Sequence, residues 1–401
     1  MKILYYSPHP NLNLTDPAGY GTHMREMIRA FRDLGHEVRP VIMGGTEARP
    51  STEPPKPSLV KSIAKGFIPA KRWQSMKDRR LMEFDDEAYD HLCEQIRDFQ
   101  PDLIYERANY LQNSGVQAAD RYRITHILEM NSPYVEEKVE LEGPSAYLDE
   151  ARKREGEMLT KSTHIVTVSS SLRDYLLDVH GTFRAKFTVL PNAIDPAQAT
   201  RATQAAEIRD KWNLRGHTVI GWVGSIQPWH GVDKLIQTFD RVAQKHPEAD
   251  LLIVGSGETI AAVKATAAKL PSATRIHFTG YLPHAEVFSH IAAMDITVLP
   301  NTKWYCSPIK IFEYGLMGKA VIATDHAAVL DVMEKDRDGL IIAAEGKGLA
   351  EAMERLLTDA PLRQQLGENF RQKVLTDHTW QANARRVIDI CDSYNTTIAQ
   401  S

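Results

Sequence analysis

Short apolar runs and stretches with apolar residues at helical spacing alternate along most of this chain. Ile3 to Tyr6 predict a first strand. Ser7 to Gly21 is a loop rich in Pro, Asn and Gly, and Met24, Met27, Ile28 and Phe31 then repeat at helical spacing. Gly35 stops that helix and EVRPVIM predicts the next strand. PDLIYER, THILEM, THIVTVS and KFTVLP continue the pattern, with room for helices between most of them. Alternation of this kind predicts a parallel sheet with crossover helices.

After Asp195 the pattern changes. PAQATRATQAAEIRDKW is polar and alanine-rich and reads as a linker running into a short helix. A second alternating unit follows, with strands predicted at VIGWVG, DLLIVGSG, IHFTG, ITVLP, AVIAT and GLIIA. VDKLIQTFDRVAQKH and PHAEVFSHIAAM predict two of the helices between them. The fold class is therefore α/β: two doubly wound parallel-sheet, Rossmann-like domains, the first over residues 1–195 and the second over 196–379. Ligands of such sheets sit outside the carboxyl ends of the strands, and two domains facing each other would enclose a cleft.

Composition narrows the class. The chain has 401 residues, 43% hydrophobic and 25% charged, enough for two full cores in a soluble protein. A net charge of -4 excludes a bulk electrostatic case for nucleic acid. Cys93, Cys306 and Cys391 are too widely spaced for a disulfide framework or a zinc site, which fits a reducing cytoplasm. MKILYYSP reads directly as a strand, so no secretory leader is expected, and no apolar run approaches the length of a membrane span. One segment departs from this even balance. Between Lys56 and Arg80, eight Lys or Arg face one acid, Asp78, with Val60, Ile63, Phe67, Ile68, Trp73 and Met76 interleaved. Peripheral contact with an anionic membrane surface is one reading, and a solvated loop is the other.

The densest chemistry lies at Ser307–Asp325, SPIKIFEYGLMGKAVIATD. Ser307 suits an N-cap, Pro308 the first helical position and Gly318 the C-terminal stop, and AVIAT predicts a buried strand. A helix opened this way suits an anion. Lys310 and Glu313 fall on one face. Glu313 lies about 9 Å along the axis from Ser307, roughly the span from a diphosphate to a ribose. An ordinary capped helix with a surface Lys–Glu pair is the alternative. Other strand-end loops add weaker signals. DPAGYG places Gly19 and Gly21 before the first helix, where backbone could approach a phosphate. VGSIQPWHG places Gly224, Ser225 and His230 after a strand, with His230 a phosphate donor or a loop cap. GSGE and TGYLP close two further strands.

In order and spacing these segments resemble a retaining GT-B glycosyltransferase of family 4 (glycosyltransferase group 1). The similar segments are GYGTHMREMIRAFRDLGHEV, VTVSSSLRDYLL, KFTVLPNAID, VGSIQPWHGVDKLIQTF, LLIVGSGE, FTGYLPHAEV and SPIKIFEYGLMGKAVIATD, covering nearly the whole chain. The resemblance implies a nucleotide-diphosphate sugar (UDP-, GDP- or ADP-sugar) as donor substrate, with no further cofactor and no dedicated metal. Its base would rest against Tyr281 and Leu282, near Tyr305. Glu313 would take the ribose hydroxyls. The diphosphate would meet Ser307, Pro308 and Ile309, the Gly224–Ser225 turn and the Gly19–Gly21 loop. Lys310, with His230 and Glu313, would carry the catalytic centre, stabilising the leaving diphosphate electrostatically. It also implies that the terminal helix, residues 380–401, packs back on the first domain.

Two departures bear on the site. Tyr305 stands where many family members carry the first of two glutamates. Ser225 and His230 occupy a loop that usually holds an arginine and a lysine, which leaves Lys310 as the available cation. The histidine usual after the fourth strand is not evident; Glu129 and Asn131 stand there, and either would orient acceptor or sugar. Arg107 and Asn109 would touch acceptor from the next loop, and His126 reads as core. The expected acceptor is a glycan or a lipid-linked molecule whose identity the sequence leaves open, in polysaccharide or glycoconjugate biosynthesis, and the expected location is cytoplasmic, with the inner membrane face as the peripheral alternative. Two other readings stand beside the transferase: a sugar-nucleotide-binding subunit without turnover, and a GT-B sugar-nucleotide epimerase.

Overall fold

The structure is a computed structural model and describes residues 1–47, 69–181 and 186–399. The chain divides into two compact units, Met1–Leu190 with Asn383–Ser401, and Pro191–Ala382.

The first unit holds a six-stranded sheet of parallel strands. The strands are β1 (Lys2–Ser7), β2 (Glu37–Ile42), β3 (Leu103–Arg107), β4 (Thr125–Met130), β5 (His164–Thr167) and β6 (Lys186–Val189), in the order β2-β1-β3-β4-β5-β6. Helix α1 (Gly19–Asp33) buries Met24, Met27, Ile28 and Phe31, the residues whose spacing predicts it. The segment between β2 and the long helix α2 (Ala70–Phe99) lies largely outside the described residues. Of the basic stretch 56–80, only the part from Pro69 onward is described, and from Ala70 it forms the first turns of α2 behind Pro69. α3 (Ser114–Tyr122), α4 (Tyr134–Glu142), α5 (Leu148–Lys161) and α6 (Ser170–His180) follow. His126 is a core residue, held between Glu106 and Ser162.

The second unit begins with a segment that differs from the expected linker. Pro196–Arg201 is a 3₁₀ helix and Ala205–Lys211 is α7. Gln198 is buried, and Ala199, Ala202 and Trp212 pack against the core. Alanine's small side chain lets this polar-looking segment lie close on the domain, so its composition misleads. The sheet contains β7 (Thr218–Val223), β8 (Ala249–Val254), β9 (Ile276–Gly280), β10 (Ile296–Leu299), β11 (Ala320–Thr324) and β12 (Leu340–Ile342). All pair in parallel, in the order β12-β11-β10-β7-β8-β9.

The apolar runs form strands because both faces of this sheet are covered. On β7, Ile220 and Trp222 belong to one core cluster while Val219 and Val223 belong to the other. On β11, Ala320 and Ile322 alternate in the same way with Val321 and Ala323. The covering helices are α8 (Val232–Ala243), α9 (Ile260–Ala267), α10 (His284–Ala293), α11 (Ile309–Leu316), the single turn α12 (Ala327–Leu330), α13 (Leu349–Thr358) and α14 (Ala360–Asp377). The last helix, α15 (Trp380–Ala399), supplies the closing segment of the first unit, where Tyr394 Oη meets His164 Nδ1 at 3.2 Å. Among the described residues, no helix is long and apolar enough to cross a membrane.

Candidate active site

The strand order of the second unit reverses between β7 and β10, the dinucleotide-fold switch point where the ends of two loops separate and leave a crevice. The loop after β7 leads into α8 and the loop after β10 leads into α11. Both helices therefore open at the carboxyl edge, with their N-terminal N–H groups uncapped by any side chain.

Helix α11 starts later than its sequence signals predict. Pro308 takes the N-cap position and Ser307 lies one residue outside. The Ser307 hydroxyl accepts from the Asn192 backbone N–H at 3.0 Å, while Asn192 Nδ2 donates to the Ser307 carbonyl at 2.7 Å. Ser307 thus fixes the approach to the helix and leaves its first turn open. The C-terminal stop forms as expected: Gly318 has φ +63°, its N–H bonds the Gly315 carbonyl, and the Lys319 N–H bonds the Tyr314 carbonyl.

Lys310 projects from the first turn of α11 to the end of β7. Its Nζ stands 4.4 Å from the centre of the Trp222 ring and is buried with no hydrogen-bond partner. Burial draws its pKa down from 10.5 to about 8, against the pull of Glu313 and Cys306. The indole face offsets part of that desolvation. Gly224, with φ +144°, leaves the space the ammonium needs. Gly255 and Gly257 have a different task. A Cβ on Gly255 would fall 1.9 Å from the Gly224 carbonyl oxygen, and one on Gly257 would fall 2.5 Å from the Ile226 backbone. The loops after β7 and β8 interlock through bare backbone.

Glu313 lies three residues beyond Lys310 and is buried. Its Oε1 accepts from His284 Nε2 at 3.1 Å. His284, the first residue of α10, escapes sequence reasoning because its signal is only a histidine opening a helix; its partner is 29 residues away. His230 folds back on its own loop, its Nδ1 donating to the Ser225 carbonyl at 2.5 Å. Burial and the nearby Lys310 lower its pKa to about 4, so the ring is neutral near pH 7 and Nε2 presents a lone pair. His230 would need protonation to donate to a phosphate.

Tyr281 is exposed and Leu282 packs on the core beside it. Tyr305 is buried, at 5.2 Å from Trp304 in an edge-to-face contact. Lys303 brings a further cation to this side. Its Nζ lies 4.9 Å from the Trp229 ring and 5.7 Å from that of Tyr305, so the loop after β10 reaches over the loop that lacks its own Lys or Arg.

In the first unit the predicted residues separate into two groups. Glu129 Oε1 gathers Arg107 at 2.9 Å, Asn131 at 2.5 Å and His23 Nε2 at 3.0 Å. Burial opposes ionisation here, but His23, Arg107 and Asn131 outweigh it and hold the carboxyl near about 2. Arg107 is thus engaged in a buried ion pair. Asn109 stands apart, its Nδ2 buried without a partner. Gly19 opens α1, while Gly21 is small because its loop folds back: a Cβ there would meet the Asp16 carbonyl oxygen at 2.2 Å. Among the described residues, no group of three or more His, Cys, Asp or Glu side chains is placed to hold a metal ion.

Two parallel-sheet units, the second with dinucleotide-fold order and a cation at its switch point, match a GT-B architecture. Two family models match this chain: "Glycosyltransferase Family 4" over residues 17–198 and "Glycosyl transferases group 1" over residues 217–359. The chain belongs to the family 4, or group 1, glycosyltransferases. It is 22% identical to the glycogen synthase of Mycobacterium tuberculosis over 72% of this chain and 68% of that one. It is 23% identical to the D-inositol 3-phosphate glycosyltransferase of Stackebrandtia nassauensis, over 91% and 85%. Among solved structures it resembles Anabaena HepE in complex with UDP, with a TM-score of 0.73 at 15% identity, over 98% of this chain and 100% of that one.

Proposed function

We propose that this glycosyltransferase takes a sugar from a nucleoside-diphosphate sugar, held by the second unit, and transfers it with retention of anomeric configuration to a glycan or lipid-linked acceptor. The observation that carries this reading is Lys310: a buried ammonium with no hydrogen-bond partner, beside an uncapped helix start at the switch point. An unpaired buried charge costs stability, and an anionic ligand supplies its counter-charge. Glu313, oriented by His284, is the acceptor for the ribose hydroxyls. Tyr281 offers an exposed ring to the base.

The chemistry follows from charge. As the glycosidic bond breaks, negative charge grows on the leaving diphosphate. Lys310 and the first N–H groups of α11 meet that charge without reorganising. Lys303 adds a second cation on the β10 loop. Retention requires the acceptor to attack from the face the diphosphate leaves, so the diphosphate oxygen can receive the acceptor's proton.

A thermal-shift screen of UDP-, GDP-, ADP- and TDP-sugars tests the donor, since bound ligand raises the melting point by mass action. UDP-sugars come first, because HepE was solved with UDP-glucose. Hydrolysis of the stabilising donor, read by NMR at the anomeric proton, tests retention. No shift and no hydrolysis with any donor would sink the proposal.

A further inference from the structure

The first unit contains a cavity of about 500 Å³ that none of the donor chemistry uses. It lies between the carboxyl ends of β1 and β3 and the helices α2 and α4, all inside one unit. Much of its charged lining is spent on itself, while exposed Arg80 and half-buried Glu137 also line it. Buried Asp78 accepts from Tyr110 Oη at 2.9 Å and pairs with Lys138 Nζ at 3.4 Å. Lys138 also donates to Gln74 and Glu142, each at 2.9 Å, and Lys77 pairs with Glu142. Burial and Asp78 push the Tyr110 hydroxyl far above its ordinary range, so it remains a neutral phenol. These bonds brace α2 against α4 and hold the cavity open.

What faces the space is different in kind. Leu81, Phe84 and Leu141 form apolar wall, and Leu141 is 56% exposed at the rim. At the strand ends stand two N–H donors. Asn109 Nδ2 is buried and unpartnered. His9 accepts the Asn11 N–H on Nδ1, and burial lowers its pKa to about 4, so it is neutral and carries its proton on Nε2.

We propose that this cavity binds the acceptor, and that the acceptor is an amphiphile: a hydroxylated head at the strand ends, joined to an apolar alkyl or isoprenoid chain that leaves between α2 and α4. An oligosaccharide presents hydroxyls along its whole length and would leave them unpaired against Leu81, Phe84 and Leu141. A hydrocarbon chain loses nothing there and gains about fourfold in affinity per buried methylene. The role of acceptor rests on the transferase reading; the binding preference does not.

Two ligand series test it on the full chain by calorimetry, below micelle concentration: n-alkyl β-glucosides from methyl to octyl, and 1-alkanols from butanol to decanol. Maltotriose serves as the oligosaccharide arm. Affinity is expected to rise at least 100-fold from methyl to octyl glucoside. Leu141→Asn and Phe84→Ser should each flatten that slope at least tenfold while leaving the donor-induced thermal shift unchanged. Leu141 is exposed, so its substitution leaves folding intact even if the Phe84 variant does not fold. Flat slopes in both series, a slope that survives Leu141→Asn, or maltotriose binding tighter than octyl glucoside would each overturn the inference. Normal donor hydrolysis beside flat slopes would reject this inference alone. A steep slope without hydrolysis of any donor would reject the transferase reading instead.

Discussion

Gly224 and Lys310 fit each other closely: a Cβ on residue 224 would stand 2.8 Å from the lysine Nζ. The glycine also holds φ +144°, a conformation that strains other residues. Gly224→Ala should therefore act twice, costing ~1–3 kcal/mol in backbone strain and displacing the ammonium. Chemical denaturation reads the first effect. Donor hydrolysis, expected to fall at least tenfold, reads the second. Unchanged hydrolysis would separate the ammonium from the chemistry.

Lys310→Met should trade activity for stability. It removes a buried, unpaired charge, so the free protein should melt at the same temperature or higher. Turnover should fall by ~100-fold, the scale for one preorganised donor to a developing anion. A parallel loss of stability would show that Lys310 is structural.

The lowered pKa of Lys310 gives a pH signature. Between about 8 and the ordinary 10.5, the unfolded chain holds the lysine proton more tightly than the native one. Stability of the free protein should thus rise with pH through this window, and the advantage of Lys310→Met should shrink. Nucleotide binding should reverse the shift, because a diphosphate restores the charged form. Calorimetry at pH 9 in buffers of differing ionisation enthalpy should record proton uptake.

His230 should be silent in the physiological range. With its pKa near about 4, the ring should not titrate between pH 5.5 and 8 in the free protein, as followed by its Cε1 proton in NMR. Binding of a nucleoside diphosphate that protonates it would bring the titration into that range. A free-protein midpoint near 6.5 would contradict the buried, Ser225-bonded geometry.

Glu129 carries the opposite sign. Its carboxyl is held near about 2, so its stabilising effect is present above the ordinary 4.5 and is lost as pH falls from there through about 2. Glu129→Gln should cost ~3 kcal/mol at neutral pH by stranding Arg107, and should flatten the acid limb of the stability curve. Denaturation at pH 7 and pH 3 checks both.

Strands buried on both faces were legible because their apolar runs are continuous: VIGWVG and AVIAT are β7 and β11 almost residue for residue. Lys310 and Glu313 were legible because helical spacing alone puts them on one face. The rest depended on partners distant in sequence. Ser307 looked like a helix cap until Asn192, 115 residues away, occupied its hydroxyl. His284 acquires meaning only against Glu313, and Lys303 only against Trp229. The segment at 196–212 misled because alanines that pack tightly and alanines in a tether have the same composition.

The interlocked loops after β7 and β8 bear on how this site could diversify. With Gly255 against the Gly224 carbonyl and Gly257 against Ile226, neither loop can gain a side chain or shift without the other. Inheritance must treat the pair as one part. On the proposed function, new donor preferences would arise at positions that face outward from it, Ser225, Tyr281 and Trp304, where a substitution leaves the scaffold that holds Lys310 untouched.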